Sequence, residues 1–251
     1  GSVTVEGLGS FSVQTVDRDK KAAGTRVKRT LFDAAGEDVG DMAGTVPDDR
    51  LPRIQESNAT RYNRYKDVFA AVRRISLAAE PDKILSFGCS NGDEPLSLAE
   101  LWFPQSRILG VDVHEESLRV ATEKTRGVRD RVEIAHSGQA VIDAWAPFDI
   151  VFAMSVLCAW PASKKLDDIS PLYGFDEFER NVAMLGRALK KDGLLVIWNA
   201  SFRFTDTTTA GDFAPVPVDG LGESGFVKKF GPDNKALVEQ DYPLFIFSKV
   251  R

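Results

Sequence analysis

Between residues 83 and 199 the chain alternates short apolar runs with amphipathic stretches, and this alternation constrains the fold more than any other feature. Lys83–Phe87, Arg107–Val113, Val132–Ala135, Phe148–Met154 and Leu194–Asn199 each read as a buried strand. Asp93–Trp102, Glu115–Thr125 and Asp176–Lys190 read as helices, the last with Phe178, Val182, Leu185 and Leu189 on one side. Asp176 and Glu179 have the spacing of a capping box, and Gly193 suits the position just past a helix end. Upstream, Tyr65, Phe69, Val72 and Ile75 lie three or four apart, which predicts a helix from Asn58 that Pro81 ends. Two late runs, Gly225–Phe230 and Leu244–Val250, bracket a Gly231-Pro232-Asp233-Asn234 turn and read as a closing antiparallel pair. The expected fold class is α/β, a doubly wound, mostly parallel seven-stranded sheet with a C-terminal antiparallel hairpin. Ligands bind such sheets at the carboxyl ends of strands, where the strand order reverses. The loops after Phe87, Val113, Ala135, Met154 and Asn199 are therefore the candidates.

Residues 1–57 precede this pattern as an N-terminal extension, with residues 58–251 as the main domain. Val3–Val13 reads as a short hairpin around Gly7 and Gly9, and Gly36–Asp49 as a loop. Residues 18–74 carry 13 basic and 9 acidic side chains, or +4, in a chain of net charge −5, so the remainder carries −9. A solvated, mixed-charge surface accounts for this, and so does an arm or lid that meets an acidic substrate. The acidic balance disfavours a general nucleic-acid partner. No apolar run approaches ~18 residues, so no membrane span is expected, and no charged-then-apolar leader suggests secretion. Two cysteines, Cys89 and Cys158, make no disulfide framework and point to a reducing cytoplasm. With only two histidines besides, no metal site is expected.

The loop after the first strand carries the chemistry: Gly88-Cys89-Ser90-Asn91-Gly92-Asp93-Glu94-Pro95. Gly88 lets the chain turn sharply, and Gly92 would allow close backbone approach to a ligand. Asp112 ends the next strand, where an acid can accept hydrogen bonds from ribose hydroxyls. A dinucleotide would want free backbone donors at the helix start for its pyrophosphate, whereas Asp93 and Glu94 stand there. The run also matches Gly-x-Ser-x-Gly, but a serine hydrolase needs a histidine late in the chain, and the last one is His136. A cationic, phosphate-free nucleoside such as S-adenosylmethionine fits better.

Gly88–Ser97 resembles the GCSTGEEPYS signature of the chemotaxis-receptor glutamate methyltransferases (CheR-type), within the class I S-adenosylmethionine-dependent methyltransferases. Asn58-Ala59-Thr60-Arg61-Tyr62-Asn63-Arg64 resembles the Asn-x-Thr-x-Phe-Phe-Arg segment before their catalytic domain. Phe148–Phe152 and Leu189–Leu195 are similar to two further stretches, and the likeness covers about residues 58–251. The resemblance implies a Rossmann-like methyltransferase fold, S-adenosylmethionine as cofactor, and a set of cofactor residues. Asn58, Thr60 and Arg64 would cover the pocket. Gly88, Cys89 and Ser90 would form its loop, and Glu94 would hold the methionine ammonium. Asp112 and Val113 would lie at the ribose, Gly138 and Gln139 at the adenine, and Ser155 and Val156 beyond the fourth strand. Gly138 and Ser155 stand where the family has asparagines. No stretch between Asp112 and Phe148 is long enough for the family's inserted β-subdomain, which helps to dock the receptor. The implied partner is a small-molecule or carboxylate-bearing acceptor. A carboxylate needs no general base, whereas a hydroxyl or amine usually does, and no strong base stands out. Arg64 could orient an acceptor carboxylate. Trp160, Tyr173, Phe202 and Phe204 read either as core or as the lining of an acceptor pocket. A non-catalytic binding module of the same fold, or a protein glutamate methyltransferase, remains the alternative, and the oligomeric state stays open.

Overall fold

The structure, a computed structural model, describes residues 51–251 apart from 56, 77–79, 219 and 222–224. It also describes the backbone of four short strands at Ser2–Thr4, Ser10–Ser12, Thr30–Phe32 and Asp38–Asp41. The chain divides into two compact units, Gly1–Asp49 and Arg50–Arg251. In the first, Ser2–Thr4 pairs antiparallel with Ser10–Ser12, and Thr30–Phe32 with Asp38–Asp41. The second pair places a strand inside the stretch expected to be loop. The rest of the basic run up to residue 49 lies outside the described residues.

The second unit is built on a seven-stranded mixed sheet. Its strands are β1 (Lys83–Phe87), β2 (Arg107–Asp112), β3 (Val132–His136), β4 (Phe148–Met154), β5 (Leu189–Trp198), β6 (Phe213–Pro215) and β7 (Ile246–Lys249). They lie in the order β3-β2-β1-β4-β5-β7-β6, the first five parallel and the last two antiparallel to their neighbours. This is the mostly parallel seven-stranded sheet expected above, with antiparallel C-terminal strands. The chain runs outward from β1 to β3, then returns to lay β4 on the other side of β1. The order reverses there, leaving a gap above the carboxyl ends of β1 and β4 that no crossover fills.

The helices are α1 (Lys66–Ile75), α2 (Asp93–Ser97), α3 (Glu115–Lys124), α4 (Gln139–Trp145) and α5 (Phe175–Ala188). Alternate strand residues feed opposite layers. Ile84, Ile108, Ile150 and Phe152 pack with Val68, Phe69 and Val72 of α1. Leu85, Leu109, Val151 and Ala153 pack with Ile142 of α4 and Phe178 and Val182 of α5. Strands buried on both faces read as continuous apolar runs, which is why they were legible. Phe69 seals the first layer edge-on to Phe152, with ring centroids 5.3 Å apart.

Several expectations are corrected. The helix expected from Asn58 begins at Lys66, because residues 62–65 form a turn in which Asn63 has φ 54°. The helix expected over Asp93–Trp102 divides into α2 and a π-helical turn, Leu98–Trp102. That wider turn sets Trp102 where its Nε1 donates to Asn63 Oδ1 at 2.9 Å. The capping box at Asp176 does not form. Asn234 Oδ1, far along the chain, accepts from Phe175 N at 2.7 Å instead, and Glu179 accepts from Thr208 N. Gly193 lies inside β5, where the pairing jumps from Leu189 opposite Phe148 to Leu194 opposite Ile150, so the intervening residues bulge. Gly225–Phe230 is not a strand. β7 pairs with β5 on one side and with the unforeseen three-residue β6 on the other.

Gly92 has φ 80°. A Cβ there would lie 2.9 Å from the Cα and Cβ of Ala121, so this glycine lets α3 close on the loop. We expect Gly92→Ala to destabilise the fold by roughly 1–3 kcal/mol, from overpacking against backbone and a left-handed φ. Urea unfolding measures this, and an unchanged midpoint would refute the packing role.

Candidate functional site

The gap above β1 and β4 is a crevice with an empty volume of about 820 Å3, counting space open to solvent at its mouth. Of the thirteen expected site residues, Asn58, Thr60, Arg64, Gly88, Cys89, Ser90, Glu94, Asp112, Val113, Ser155 and Val156 line it, and Gly138 and Gln139 do not.

The floor is the β1–α2 loop. Gly88 N and Cys89 N both donate to the Val111 carbonyl, at 2.8 and 2.9 Å, which bends the chain back over β2. Gly88 has φ 80°, and a Cβ there would lie 2.4 Å from Val156 Cγ2. This residue must be glycine for the β1 and β4 loops to meet. Ser90 follows at φ 48° and presents its N–H to Asp112 Oδ2 at 2.8 Å. The other carboxylate oxygen of Asp112 accepts from His114 N at 2.9 Å. Each oxygen keeps lone-pair capacity toward the crevice.

Glu94 and Asp93 part company. Asp93 turns away and pairs with Lys124 at 2.7 Å, so only one of the two expected acids faces the crevice. Glu94 accepts from Ser86 Oγ at 2.8 Å. Desolvation pushes its pKa up from 4.5 to about 8, against the smaller lowering effects of that hydrogen bond and of the Arg64 charge. Burial likewise raises the Cys89 thiol well above its ordinary value, with the Asp112 and Glu94 charges adding to it. Neither it nor the buried Cys158, pushed up to about 11 by desolvation, is an activated nucleophile.

The roof is the irregular strap of residues 51–65. It touches the ends of four strands in turn. Leu51 N donates to Ser137 O after β3 at 3.4 Å. Gln55 Nε2 reaches Ser155 O after β4 and Cys158 Sγ, the latter at 3.2 Å. Asn58 O accepts from Ser90 Oγ after β1 at 2.9 Å, and Asn58 Nδ2 lies 3.2 Å from His114 Nδ1 after β2. Asn58 and Thr60 therefore cap no helix. His114 caps α3, its Nδ1 accepting from Ser117 N. Arg64 Nη1 donates to Ala59 O at 2.7 Å, and its guanidinium sits 5.0 Å from the Tyr65 ring centroid. Tyr65 OH donates to Ser155 Oγ at 2.8 Å, and Asn199 Nδ2 donates to the same oxygen at 2.8 Å. Ser155, at φ 58°, thereby has its acceptor capacity used within the protein.

Gln139 instead donates to Asp143 within α4 and lines a neighbouring cavity beside α5, and Gly138 is the residue before α4. Ser137 lies in the crevice in their place, 2% exposed, its hydroxyl buried without a partner. Gln55, Tyr65 and Asn181 also line the crevice and were not foreseen. The strand-end rule pointed to the loop holding Ser137. The others come from the strap and from α5, which only tertiary packing brings there. Tyr173, Phe202 and Phe204 are core, each 1% exposed.

The donor set can be tested against a nucleoside that ends in an ammonium. Glu94 is a desolvated acid that a cation would relieve, Asp112 retains capacity for hydroxyl donors, and the orphaned Ser137 hydroxyl can meet a polar base edge. The three line one crevice, and the residues fit.

Residues 84–173 match the family model described as a methyltransferase domain. The match implies S-adenosylmethionine as the cofactor. No curated protein matches the chain. A methyltransferase from Geobacter sulfurreducens is similar at 17% identity and TM-score 0.44, over 73% of this chain and 79% of its own. StiE O-MT is similar at 21% identity and TM-score 0.36, over 50% of this chain and 41% of its own. The plantazolicin methyltransferase BpumL, solved with SAH, is similar at 14% and TM-score 0.39, over 52% and 44%. The chain thus spans less than half the length of the latter two. Among the described residues, no helix is long and apolar enough to cross a membrane, and no three or more His, Cys, Asp or Glu side chains are grouped to hold a metal ion.

The raised pKa of Glu94 has a measurable sign. Its folded value, about 8, exceeds the ordinary 4.5, so its contribution to stability is full below about pH 4.5 and is lost as pH rises through about 8. Relative to Glu94→Gln, the ligand-free protein should lose stability across that window in urea unfolding. Parallel pH profiles would show that Glu94 is not desolvated.

Proposed function

We propose that the protein is an S-adenosylmethionine-dependent methyltransferase whose acceptor is a carboxylate oxygen of a small molecule. The observation that carries this reading is the position of Arg64 within the crevice, close enough to Glu94 for its charge to lower that pKa. A guanidinium hydrogen-bonded to one carbonyl keeps further donors for a carboxylate. When bound, S-adenosylmethionine supplies a methyl group on a positively charged sulfur; the acceptor oxygen bonds to that carbon as the carbon–sulfur bond breaks, its electron pair staying on sulfur as a neutral thioether. Glu94 would hold the ammonium, Asp112 the ribose hydroxyls and Ser137 the adenine edge. The strap would exclude water and carry Arg64 to the acceptor. A carboxylate has no proton to lose, so the chemistry asks only for alignment and desolvation. That suits a crevice where Tyr65 donates to Ser155 and is pushed up in pKa by burial rather than poised as a base.

A protein glutamate would offer the same carboxylate, as the likeness to the chemotaxis methylases suggests. Here residues 113–147 are largely taken up by α3, β3 and α4, which argues for a free acid over a docked receptor. The two free, buried cysteines fit a cytoplasmic setting.

Calorimetry should detect S-adenosylhomocysteine binding in the micromolar range, and neither heat nor thermal shift at millimolar ligand would overturn the reading. Because an ammonium needs ionised Glu94, affinity should rise from pH 6 to 8 and be weaker and flat in Glu94→Gln. Asp112→Ala should cost about 1–3 kcal/mol of cofactor binding, the scale of lost hydrogen bonds to a charged group. Undiminished affinity in that variant would remove Asp112 from the site.

A further inference from the structure

Beside Ser155 of the crevice, and linked to it through Asn199, the fold leaves an aromatic surface open. Phe226 is 62% exposed and meets the half-buried Trp160 edge to face, with ring centroids 5.2 Å apart. Isolated exposed apolar residues are common and need no explanation. This pair is held in place by the crevice wall itself. Asn199 bonds Ser155 of the wall through Nδ2, and its Oδ1 accepts from Phe226 N at 2.8 Å. Gly225, at φ 107°, is what permits that approach, since a Cβ there would fall 1.8 Å from Asn199 Oδ1. The residues that follow are anchored, with Val227, Lys229 and Phe230 all buried. Phe226 therefore faces outward because Gly225 and Asn199 turn it there. Trp160 follows four residues beyond Val156 along the chain. Lys164 holds its ammonium 5.4 Å from the Trp160 ring centroid, which gives the surface a positive edge.

Resting on the methyltransferase reading above, we infer that Trp160 and Phe226 form the acceptor platform, and that the acceptor is a carboxylic acid borne on a planar, unsaturated ring. Flat ring faces offer stacking and edge-to-face contacts that a puckered ring cannot match. The positive charges of Arg64 and Lys164 suit an anionic ligand. A polar or purely aliphatic acid would leave the aromatic faces wet and gain little from them.

The test is transfer of labelled methyl groups to benzoate and 2-naphthoate, compared with cyclohexanecarboxylate and hexanoate. The planar acids should show KM values about tenfold lower, and Phe226→Ala or Trp160→Ala should raise them by a similar factor with kcat changed by less than about twofold, a factor of ten corresponding to ~1.4 kcal/mol of binding. Calorimetric affinity for S-adenosylhomocysteine should stay unchanged in both variants. Independently of turnover, 2-naphthoate should quench tryptophan fluorescence in the presence of S-adenosylhomocysteine, and Trp160→Phe should abolish that quenching. If S-adenosylhomocysteine binds but planar and saturated acids behave alike, or Phe226→Ala leaves KM unaltered, the platform is refuted while the methyltransferase reading stands. If Phe226→Ala instead converts a sedimenting dimer into a monomer, the pair is an interface between copies and the inference is overturned. If S-adenosylhomocysteine does not bind, the reading of the crevice fails, and the platform with it.

Discussion

A carboxylate withdrawn from water, answered inside the protein by a serine hydroxyl and a nearby guanidinium, is the interaction on which the crevice turns. Glu94 sits at the start of α2, where it complements the helix dipole, yet desolvation outweighs that help and drives its pKa to about 8. An empty fold thus carries an electrostatic cost that a cation can remove. The cost is localised by the fold: β1 ends in a loop pinned to Val111, α2 starts immediately after it, and α3 closes over the loop at Gly92. The sheet order matters because it leaves this acid above a gap rather than beneath a crossover. The same parallel strands that bury both faces also bring the ends of β1, β2 and β4 to one rim.

The strap gives the crevice a second property. Its contacts are mostly hydrogen bonds to the ends of four strands, with Leu51 and Ile54 packed against one core layer and Tyr65 against the other. Each such bond contributes modestly, about 0.5–1.5 kcal/mol, so the strap is the low-stability part of the site in the sense that local opening costs far less than global unfolding. It is also moored firmly at its far end, where Asn63 N donates to Ser97 Oγ at 2.7 Å and Trp102 to Asn63 Oδ1. A segment anchored at one end and lightly tied across a crevice admits a ligand without disturbing the sheet.

The central strands and the Gly88–Glu94 loop were legible because their signals are local: continuous apolar runs, and glycines flanked by a strand and a helix. The signals that failed were those that long-range contacts override. Asp176 and Glu179 have capping-box spacing, but Asn234 supplies the cap, and no rule of spacing joins two residues so far apart. β6 is three residues long and owes its strand geometry to β7 alone. At the site, Asp93 and Glu94 are indistinguishable as letters. Their roles separate only because Lys124 on α3 claims one of them. Gly138 and Gln139 were placed by likeness to a family in which an asparagine stands there. In this chain Ser137, one residue earlier, lines the crevice with its hydroxyl buried and unpartnered, and α4 begins at Gln139 and takes that side chain into its own first turn. Trp160 was separable from Tyr173, Phe202 and Phe204 only by burial, which depends on the whole core.

The placement of Arg64 links these features. It belongs to the lightly held strap rather than to the sheet, yet its charge acts on Glu94 at the floor. Within the crevice, Arg64 is the cation whose charge lowers the pKa of Glu94. In the function proposed above, an ammonium seated on Glu94 would take over that role and leave the guanidinium with its remaining donors uncommitted. Those donors would then favour an anionic acceptor. On the proposed reading, filling the cofactor position would prepare the acceptor position by electrostatics, and a carboxylate acceptor would gain from this order of events while a neutral one would not.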